Sequence, residues 1–333
     1  MEFYIADADR YDVINLPNKC SVDMEIGSDN DFEIEIPVSL YNSEIYEQGR
    51  YVYCDGTEYG GRITSITSNT DDRVVKLNGE TFRGMLEDKI VEPPTGEAYR
   101  YISGDLTECL KTLLGNQYNG VFKVSDTLTG ISVSNYKVNR YAYMLDAMIA
   151  VLRSKNYRLD INIISENEQF YVEISAKKAD DNEDEISQDY DLDFDIDKKT
   201  FRYNYMIALG SGQLEKRTVI YLHQKDDGTV ERVSKIPDGD DVKVYKYDYS
   251  SSDSSESDDE LFNSAVDKFS GINEPDSQTM TIGEDVQIEL QIGDIVSGRD
   301  YITGITIEEP VTKKILKVKN GIPITSYGIG VDK

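Results

Sequence analysis

Residues 31–38 are Asp31-Phe32-Glu33-Ile34-Glu35-Ile36-Pro37-Val38, in which an apolar side chain occupies every second position. This period of two is typical of a β-strand with one face in a core, because successive side chains of a strand point to opposite faces. Three more short apolar stretches follow, with breaks at Asp55-Gly56 and Gly60-Gly61; they are residues 51–54, 63–66 and 74–77. The pattern predicts a small β-barrel or sandwich over residues 1–95, ending near Pro93-Pro94.

The pattern changes to a helical period in the next segment, residues 96–197. A helix is predicted after Asp105, which has the spacing of an N-cap to Glu108, and Gly115 is placed to end it. Its apolar face would consist of Leu106, Cys109, Leu110 and Leu113. A second helix is predicted over residues 140–155, and a β-hairpin follows with its turn at residues 166–168. We therefore predict an inserted α/β domain, which includes an acidic segment at its end.

The remaining sequence returns mainly to β patterns. Strands at residues 203–209 and 218–222 predict a second barrel portion over residues 198–250. The last part, residues 251–333, is predicted to hold a Ser/Asp-rich linker, a short helix with a capping box of Ser257 and Glu260, and a C-terminal β region. The predicted fold class is therefore α+β, mainly β.

Charge sets limits on the partners of this chain. It has 63 acidic and 35 basic residues among 333, a net charge of -28. A chain with this charge repels phosphate backbones, so we expect no direct nucleic-acid binding. No apolar run approaches the roughly 20 residues of a membrane helix. The N-terminus lacks the basic and apolar regions of a signal peptide. We expect neither stable membrane insertion nor a signal peptide.

Residues that could carry catalysis are few. His223 is the only histidine and follows an apolar strand, so it is interpreted as a strand-end residue. The stretch Gly210-Ser211-Gly212 could begin a phosphate loop, but the third small residue of a dinucleotide fingerprint is replaced by Glu215, and a tight turn is the better interpretation. The three cysteines, Cys20, Cys54 and Cys109, form no CxxC pair and are expected to be structural.

The acidic segment 180–197 offers the one candidate metal site. Residues 180–185 are expected to form a solvated loop, whereas residues 189–197 alternate Asp with apolar side chains. Clustered carboxylates suit Ca²⁺, but carboxylates on one face of a strand do not converge on a single ion without a bend, and the Gly and distal Glu of an EF-hand loop are missing. An exposed strand with an acidic face is therefore preferred. We predict no catalytic, cofactor-binding or metal-binding residue.

Several stretches, taken in order along the chain, resemble the hub family of phage tails. This family includes the N-terminal parts of Tal-type proteins of Gram-positive phages and the hubs of contractile tail-like bacteriocins. The stretches are Asp31-Phe32-Glu33-Ile34-Glu35-Ile36-Pro37, Gly49-Arg50-Tyr51-Val52-Tyr53, Gly56-Thr57-Glu58-Tyr59-Gly60-Gly61-Arg62-Ile63, Leu77-Asn78-Gly79-Glu80-Thr81-Phe82-Arg83-Gly84-Met85-Leu86, Ile90-Val91-Glu92-Pro93-Pro94, Tyr203-Asn204, Ile207-Ala208-Leu209-Gly210-Ser211-Gly212 with Arg217, and Gln291-Ile292-Gly293-Asp294-Ile295-Val296.

The resemblance implies tail-tube-like β-barrel domains with the α/β domain inserted between them. It also implies a homotrimeric ring that closes the tail tube and joins spike or fibre proteins, with distal tail or baseplate proteins and the tape measure as further neighbours. Such a protein would be part of a virion or a tail-like particle, assembled in the bacterial cytoplasm, and would not be an enzyme. Two alternatives stay open: a tail-associated cell-wall hydrolase with a carboxylate pair, and a receptor-binding or carbohydrate-binding tail module.

Overall fold

A computed structural model describes most of the chain. The described residues are 1–69, 71–186, 192–197, 203–225, 229–249, 258–272, 277–282, 289–304 and 306–330. The strands are β1 (Tyr4–Ala6), β2 (Asp12–Asn15), β3 (Ser21–Ile26), β4 (Asp31–Pro37), β5 (Tyr51–Tyr53), β6 (Gly60–Asn69), β7 (Val74–Thr81), β8 (Arg100–Asp105), β9 (Phe122–Val124), β10 (Ser132–Val138), β11 (Tyr157–Glu166), β12 (Gln169–Lys178), β13 (Asp181–Ile186), β14 (Leu192–Asp197), β15 (Tyr205–Leu209), β16 (Val219–Gln224), β17 (Val230–Val233), β18 (Val244–Asp248), β19 (Ser277–Ile282), β20 (Ile295–Arg299), β21 (Thr306–Lys319) and β22 (Ile322–Ile329). The α-helices are α1 (Phe82–Glu87), α2 (Leu106–Leu114), α3 (Met144–Arg153) and α4 (Asp258–Ile272), and short 3-10 helices span Val38–Leu40 and Leu214–Lys216.

The fold is mainly β, with 47% of the described residues in strands and 15% in helices. This confirms the predicted α+β, mainly β class. The chain divides into two compact units: residues 1–194 with 279–332 form the first, and residues 195–278 form the second. The four-part division of the sequence stays a prediction. In the described part of the chain, no helix has the length and apolar character needed to cross a membrane.

The first unit is built on a large sheet that joins both ends of the chain. Strands follow the order β22-β21-β3-β4-β7-β6-β5-β1-β2, and each neighbouring pair is antiparallel. The predicted strand around residues 31–38 is confirmed as β4, with Phe32, Ile34 and Ile36 buried on one face. Among the described strands, the two ends of this order do not pair with each other, so the sheet is open and does not form a closed barrel. At the β2 edge, the Asp12 amide donates to the Glu168 carbonyl of the β11–β12 hairpin turn (2.8 Å), so a different part of the chain covers this edge.

Gly60 and Gly61 are the first two residues of β6, whereas the sequence predicted a break there. The absence of side chains is what allows strand pairing to begin at these positions. A Cβ on Gly61 would lie 2.0 Å from the carbonyl oxygen of Glu80 on β7, and one on Gly60 would lie 2.7 Å from the Phe82 ring. Glycine here permits close approach of strand and helix instead of ending the strand.

The acidic residues 181–186 form β13, which corrects the prediction of a solvated loop over residues 180–185. The strand pairs in parallel with β20, with Asp181 opposite Ile295. The Ile295 amide donates to the Asp180 carbonyl (2.9 Å), and the Asp180 amide donates to Asp294 Oδ1 (3.1 Å). Pairing with a strand more than 100 residues away overrides a local composition that disfavours β structure.

The inserted α/β segment has the predicted elements. Helices α2 and α3 pack against the three-stranded sheet β11-β12-β9 and share one hydrophobic core with it. Asp105 caps α2, although its carboxylate accepts from the Thr107 amide (2.9 Å) rather than from Glu108. Helix α3 begins at Met144, later than predicted, because Tyr141 is in the left-handed region (φ +56°) and Tyr143 forms a bridge to Ile90. Helix α1 was not predicted.

The second unit is a four-stranded sheet with one helix on it. The strand order is β17-β16-β15-β18, in which β15 and β18 are parallel. The predicted apolar face of α4 is confirmed in part: Leu261, Ala265 and Phe269 are fully buried against Met206 and Leu222 of the sheet. The predicted linker over residues 250–257 lies outside the described residues.

Candidate functional site: a buried ionic junction beside a polar cleft

Three charged side chains meet inside the first unit. Glu58 comes from the β5–β6 turn, Arg83 from the first turn of α1 and Lys314 from β21. The Arg83 Nε atom lies 3.2 Å from Glu58 Oε2, and Lys314 Nζ lies 3.5 Å from Glu58 Oε1. A terminal nitrogen of Arg83 also donates to the Leu159 carbonyl of β11 (3.0 Å). Thr81 fixes the start of α1, because its hydroxyl accepts from the Gly84 amide. We call Glu58, Arg83 and Lys314 the ionic junction.

The ionic junction is almost completely removed from water. Each of its side chains is only 5–6% exposed, so each charge must be compensated by the others. Lys314 Nζ also donates to Gln291 Oε1 (3.1 Å) and lies 5.0 Å from the centre of the Tyr59 ring. Burial, followed by the charge of Glu58, raises the pKa of the Tyr59 hydroxyl, which therefore stays protonated. The junction connects the N-terminal strands, α1, β11 and the C-terminal strands.

A second group of charges lies around Arg158 on β11. One terminal nitrogen of Arg158 lies 2.6 Å from Asp160 Oδ1, and its Nε lies 2.8 Å from Asp294 Oδ1, in an ion pair without hydrogen-bond alignment. Burial alone would raise the pKa of Asp160. Hydrogen bonds from Lys177 and Arg158 outweigh it, so the pKa of this carboxyl is lowered. Asp160 therefore stays ionised, which suits an ion pair rather than a general acid.

A cleft of about 720 Å³ opens beside these two groups. Its polar and aromatic lining includes Glu58, Tyr59, Asp160, Lys177, Gln291 and Tyr327. The lining contains no histidine, cysteine or serine among the described residues, and the described chain has no cluster of three or more potential metal ligands. Most of the charges are already paired with each other. This arrangement suits a rigid junction between strands.

His223 lies in the second unit. It belongs to β16, and its ring stacks on Tyr205 of β15 with centroids 4.5 Å apart. Its Nδ1 atom lies 3.7 Å from Glu231 Oε1. His223 is thus part of a cross-strand ladder, close to the end of its strand as predicted.

The other candidate residues from the sequence lie in a turn and in the core. Residues 210–212 form the turn between β15 and β16, where the Gly210 carbonyl accepts from Arg217 Nε (2.9 Å). Gly212 has φ +97°, and a Cβ there would lie 2.4 Å from the Lys216 carbonyl oxygen, so the turn requires glycine. The three cysteines are buried and unpaired; they are Cys20, Cys54 and Cys109.

The acidic candidate for calcium is described only in part. Residues 192–197 form β14, which agrees with the preferred interpretation of a strand. Residues 189–191 lie outside the described residues. The absence of catalytic, cofactor-binding and metal-binding residues therefore stays a prediction.

The ionic junction was missed in the sequence, although one signal was present. Lys314 is two residues before Leu316 and four before Val318, so it belongs to the buried face of a strand. A charge at such a position needs a buried partner. No local pattern identifies that partner, because Glu58 and Arg83 lie more than 230 residues earlier.

Several tyrosines are exposed, which the abundance of tyrosine in the sequence could not establish. Five tyrosines have side chains that are about half exposed or more: Tyr11, Tyr101, Tyr141, Tyr143 and Tyr301. Tyrosine is enriched at the cores of protein–protein interfaces. These rings give the first unit exposed side chains of the type that protein contacts favour.

The chain is similar to known proteins in structure only. No protein-family model matches the chain, and no curated protein matches it. A 43 kDa tail protein of prophage MuSo2 from Shewanella oneidensis is similar, with a TM-score of 0.53 and 11% identity over 99% of this chain and 98% of that protein. A chain of the phage P2 baseplate in its activated conformation with Ca has the same scores and coverage. The prophage tail protein gp18 from Listeria monocytogenes EGD-e has a TM-score of 0.50 and 12% identity over 100% and 95% of the two chains.

These matches extend over nearly the full length of both compared chains, so they concern the whole arrangement of helices and strands rather than one motif. At 11–12% identity they establish the fold and nothing finer. The chain has the fold of phage tail and baseplate proteins.

Proposed function

We propose that this chain is the structural hub of a phage tail tip or of a phage-tail-like particle. Three copies form a ring that closes the tail tube and joins it to spike or fibre proteins. The observation that carries the proposal is the match over 99% of the chain to a chain of the phage P2 baseplate and to a prophage tail protein. The ordered stretches that resemble Tal-type hubs support the same function.

The construction of the first unit supports a mechanical role. Its large sheet takes strands from both ends of the chain, and β21 pairs with β3 through residues 314–318. The ionic junction joins these strands to α1 and to β11. Buried, mutually paired charges and continuous backbone pairing resist deformation, which a load-bearing joint requires.

We propose the tail tube, distal tail or baseplate proteins, a spike and the tape measure as neighbours. The location is the tail tip or baseplate of a virion or of a contractile, bacteriocin-like particle, after assembly in the bacterial cytoplasm. The proposal includes no enzymatic activity and no cofactor. It is supported by a cleft whose charges pair with each other.

The first test is the mass of the purified full-length chain by light scattering after size-exclusion chromatography. A trimer has a mass of about 113 kDa, three times the 37.7 kDa of one chain. The second test is gold labelling of an epitope-tagged copy in particles from the producing strain. Label at the tail tip supports the hub, and label elsewhere on the particle contradicts it.

Two further assays address the alternatives. Clear lysis in a zymogram on bacterial walls would establish a hydrolase and overturn the non-enzymatic proposal. Binding of the purified chain to whole cells would favour a receptor-binding or carbohydrate-binding module, since a hub enclosed between tube and spike has no such surface.

A further inference from the structure

Two long stretches of this acidic chain have no acidic residue, residues 127–145 and residues 310–331, and the first of them is rich in tyrosine as well. Acidic side chains make up 63 of the 333 residues, yet residues 127–145 contain none. The same 19 residues contain Lys137, Arg140 and three tyrosines. A basic and aromatic segment on a chain of net charge -28 is a local departure from its overall electrostatics.

The structure brings Lys137 beside Tyr99 and Tyr101 and brings Arg140 beside Tyr141. β8 and β10 form a two-stranded ribbon in which Tyr101 is opposite Lys137. Lys137 Nζ lies 3.9 Å above the ring of Tyr99, and the Arg140 guanidinium lies 5.0 Å from the centre of the Tyr141 ring. We call Tyr99, Tyr101, Lys137, Arg140 and Tyr141 the basic–tyrosine patch.

Tyr101 and Lys137 lie on the outer side of the ribbon, and Arg140 and Tyr141 are exposed just after β10. The opposite side packs into the core through Ile102, Val133 and Val138, whereas Tyr101 is 49% and Tyr141 is 54% exposed. Cation–π contacts hold the rings beside the charges. These side chains therefore present aromatic area together with positive charge and add nothing to the core.

The backbone conformation of Tyr141 is also energetically unfavourable. Its φ of +56° is in the left-handed region, which bulky residues rarely adopt and which costs of order 1 kcal/mol. Its exposed side chain does not recover this cost through burial. Strain at an exposed aromatic residue is a sign of use in recognition.

A complementary acidic surface exists in the same unit. Asp12, Asp55 and Glu168 approach each other at the β2 edge and the β11–β12 turn. The Asp12 amide donates to the Glu168 carbonyl (2.8 Å), and the Ser165 amide donates to Asp55 Oδ1 (2.8 Å). Burial, and then the charges of Glu168 and Asp55, raise the pKa of Asp12, so these like charges repel each other. We call Asp12, Asp55 and Glu168 the acidic edge.

We propose that the basic–tyrosine patch of one copy of this chain docks on the acidic edge of a second copy. Lys137 and Arg140 relieve the repulsion within the acidic edge, and the tyrosine rings supply the apolar contact area of the interface. Because the two surfaces are different, one copy can offer its patch to the next copy, and such a head-to-tail contact generates a ring when the rotation between copies closes. The inference rests on the proposed self-association of the hub.

The test is a charge exchange in the full-length chain, followed by sedimentation velocity at 50 and 500 mM salt. Wild-type protein is expected to associate at low salt and to dissociate at high salt. The variants Lys137→Glu/Arg140→Glu and Asp55→Lys/Glu168→Lys should each raise the dissociation constant at least tenfold. The variant with all four changes should recover assembly, because its two surfaces again have opposite charge.

A matched control separates the patch from general charge effects. Arg153→Glu/Lys155→Glu changes the net charge by the same amount at exposed positions of the same unit and should leave association unchanged. Far-ultraviolet circular dichroism and thermal unfolding confirm that each variant is folded. All substituted positions of the patch are exposed, so the fold is expected to persist.

Three results overturn the inference. They are association that the patch and edge variants do not weaken, a fourfold variant that stays dissociated, and a wild-type chain that is monomeric at all concentrations. A multimer insensitive to these changes leaves the proposed ring intact and places its contacts elsewhere. A monomer that gold labelling still finds at the tail tip leaves the hub location intact, with assembly through an acidic partner other than a second copy.

Discussion

Arg83 satisfies a buried carboxylate and a buried carbonyl at once. Replacing Arg83 by Met leaves Glu58 in the core with Lys314 as its remaining charged partner. Breaking a buried pair on one side costs about 3–5 kcal/mol of unfolding free energy, because the charge left behind has no water. Urea unfolding followed by circular dichroism measures the change.

Lys111→Met is the matched control for Arg83→Met. Lys111 contacts Glu108 and Asp126 on the surface, where water replaces a lost ion pair. No measurable loss of stability is expected. Equal losses in the two variants would show that the ionic junction contributes no more than a surface pair.

Cys20 makes the fold sensitive to alkali. Burial raises the pKa of its thiol from 9.0 to about 11. Between these values the unfolded chain releases a proton that the folded chain retains, so stability should fall as pH rises from about 9 to about 11. Cys20→Ala should show a smaller loss across this range in unfolding experiments at stepped pH. An identical pH profile in the two proteins would contradict the prediction.

At the scale of elements, Asp105 connects a helix to a loop. Its carboxylate accepts from the amides of Thr107 (2.9 Å), Thr129 (3.1 Å) and Gly130 (2.7 Å). Asp105→Ala should therefore cost about 1–2 kcal/mol, the usual value of an N-cap. Asp105→Asn retains an acceptor oxygen and should lose less. Thermal unfolding compares the stability of the two variants. An equal loss of stability in both would mean that the acceptor oxygen retained in Asp105→Asn does not stabilise the fold.

The same carboxyl predicts an acid dependence. Burial acts to raise the pKa of Asp105, but the backbone hydrogen bonds of Thr107, Thr129 and Gly130 outweigh it and lower the pKa. Its contribution is therefore present above the unfolded value of about 3.9 and is lost as pH falls through the lower folded value. Asp105→Asn removes this contribution, so wild type and variant should converge in stability at low pH.

Elements with a strong local period were predictable. The alternation in β4, the hairpin β11–β12, the apolar face of α2 and the helix α3 are confirmed, because each repeats its own geometry over several residues. Helix α1 spans only six residues and β13 is acidic, so neither has a local pattern that exceeds chance. Their positions depend on partners elsewhere in the chain.

At the scale of the whole molecule, the C-terminal hairpin belongs to the N-terminal core. Leu316 and Val318 of β21 are buried in the cluster that contains Phe3, Val22 and Ile34. Leu316→Ala should cost about 2–5 kcal/mol through the cavity it leaves. The experiment is chemical unfolding of the full-length chain.

Ile322→Ala is the control on the same hairpin, since Ile322 is 66% exposed. Its effect should stay within about 0.5 kcal/mol. Comparable losses at the two positions would mean that the hairpin contributes to stability only as a surface element and that it is not part of the N-terminal core.

The sequence by itself determined the mainly β class, the periodic helices and strands and the acidic surface, because composition and short-range period are local properties. It also carried, in ordered short motifs, the resemblance to tail hubs. Only the tertiary structure decided that β21 pairs with β3, that Glu58, Arg83 and Lys314 meet, and that Gly60-Gly61 begins a strand. These facts depend on residues far apart in the chain, and backbone pairing and burial of charge are settled only when the partners come together.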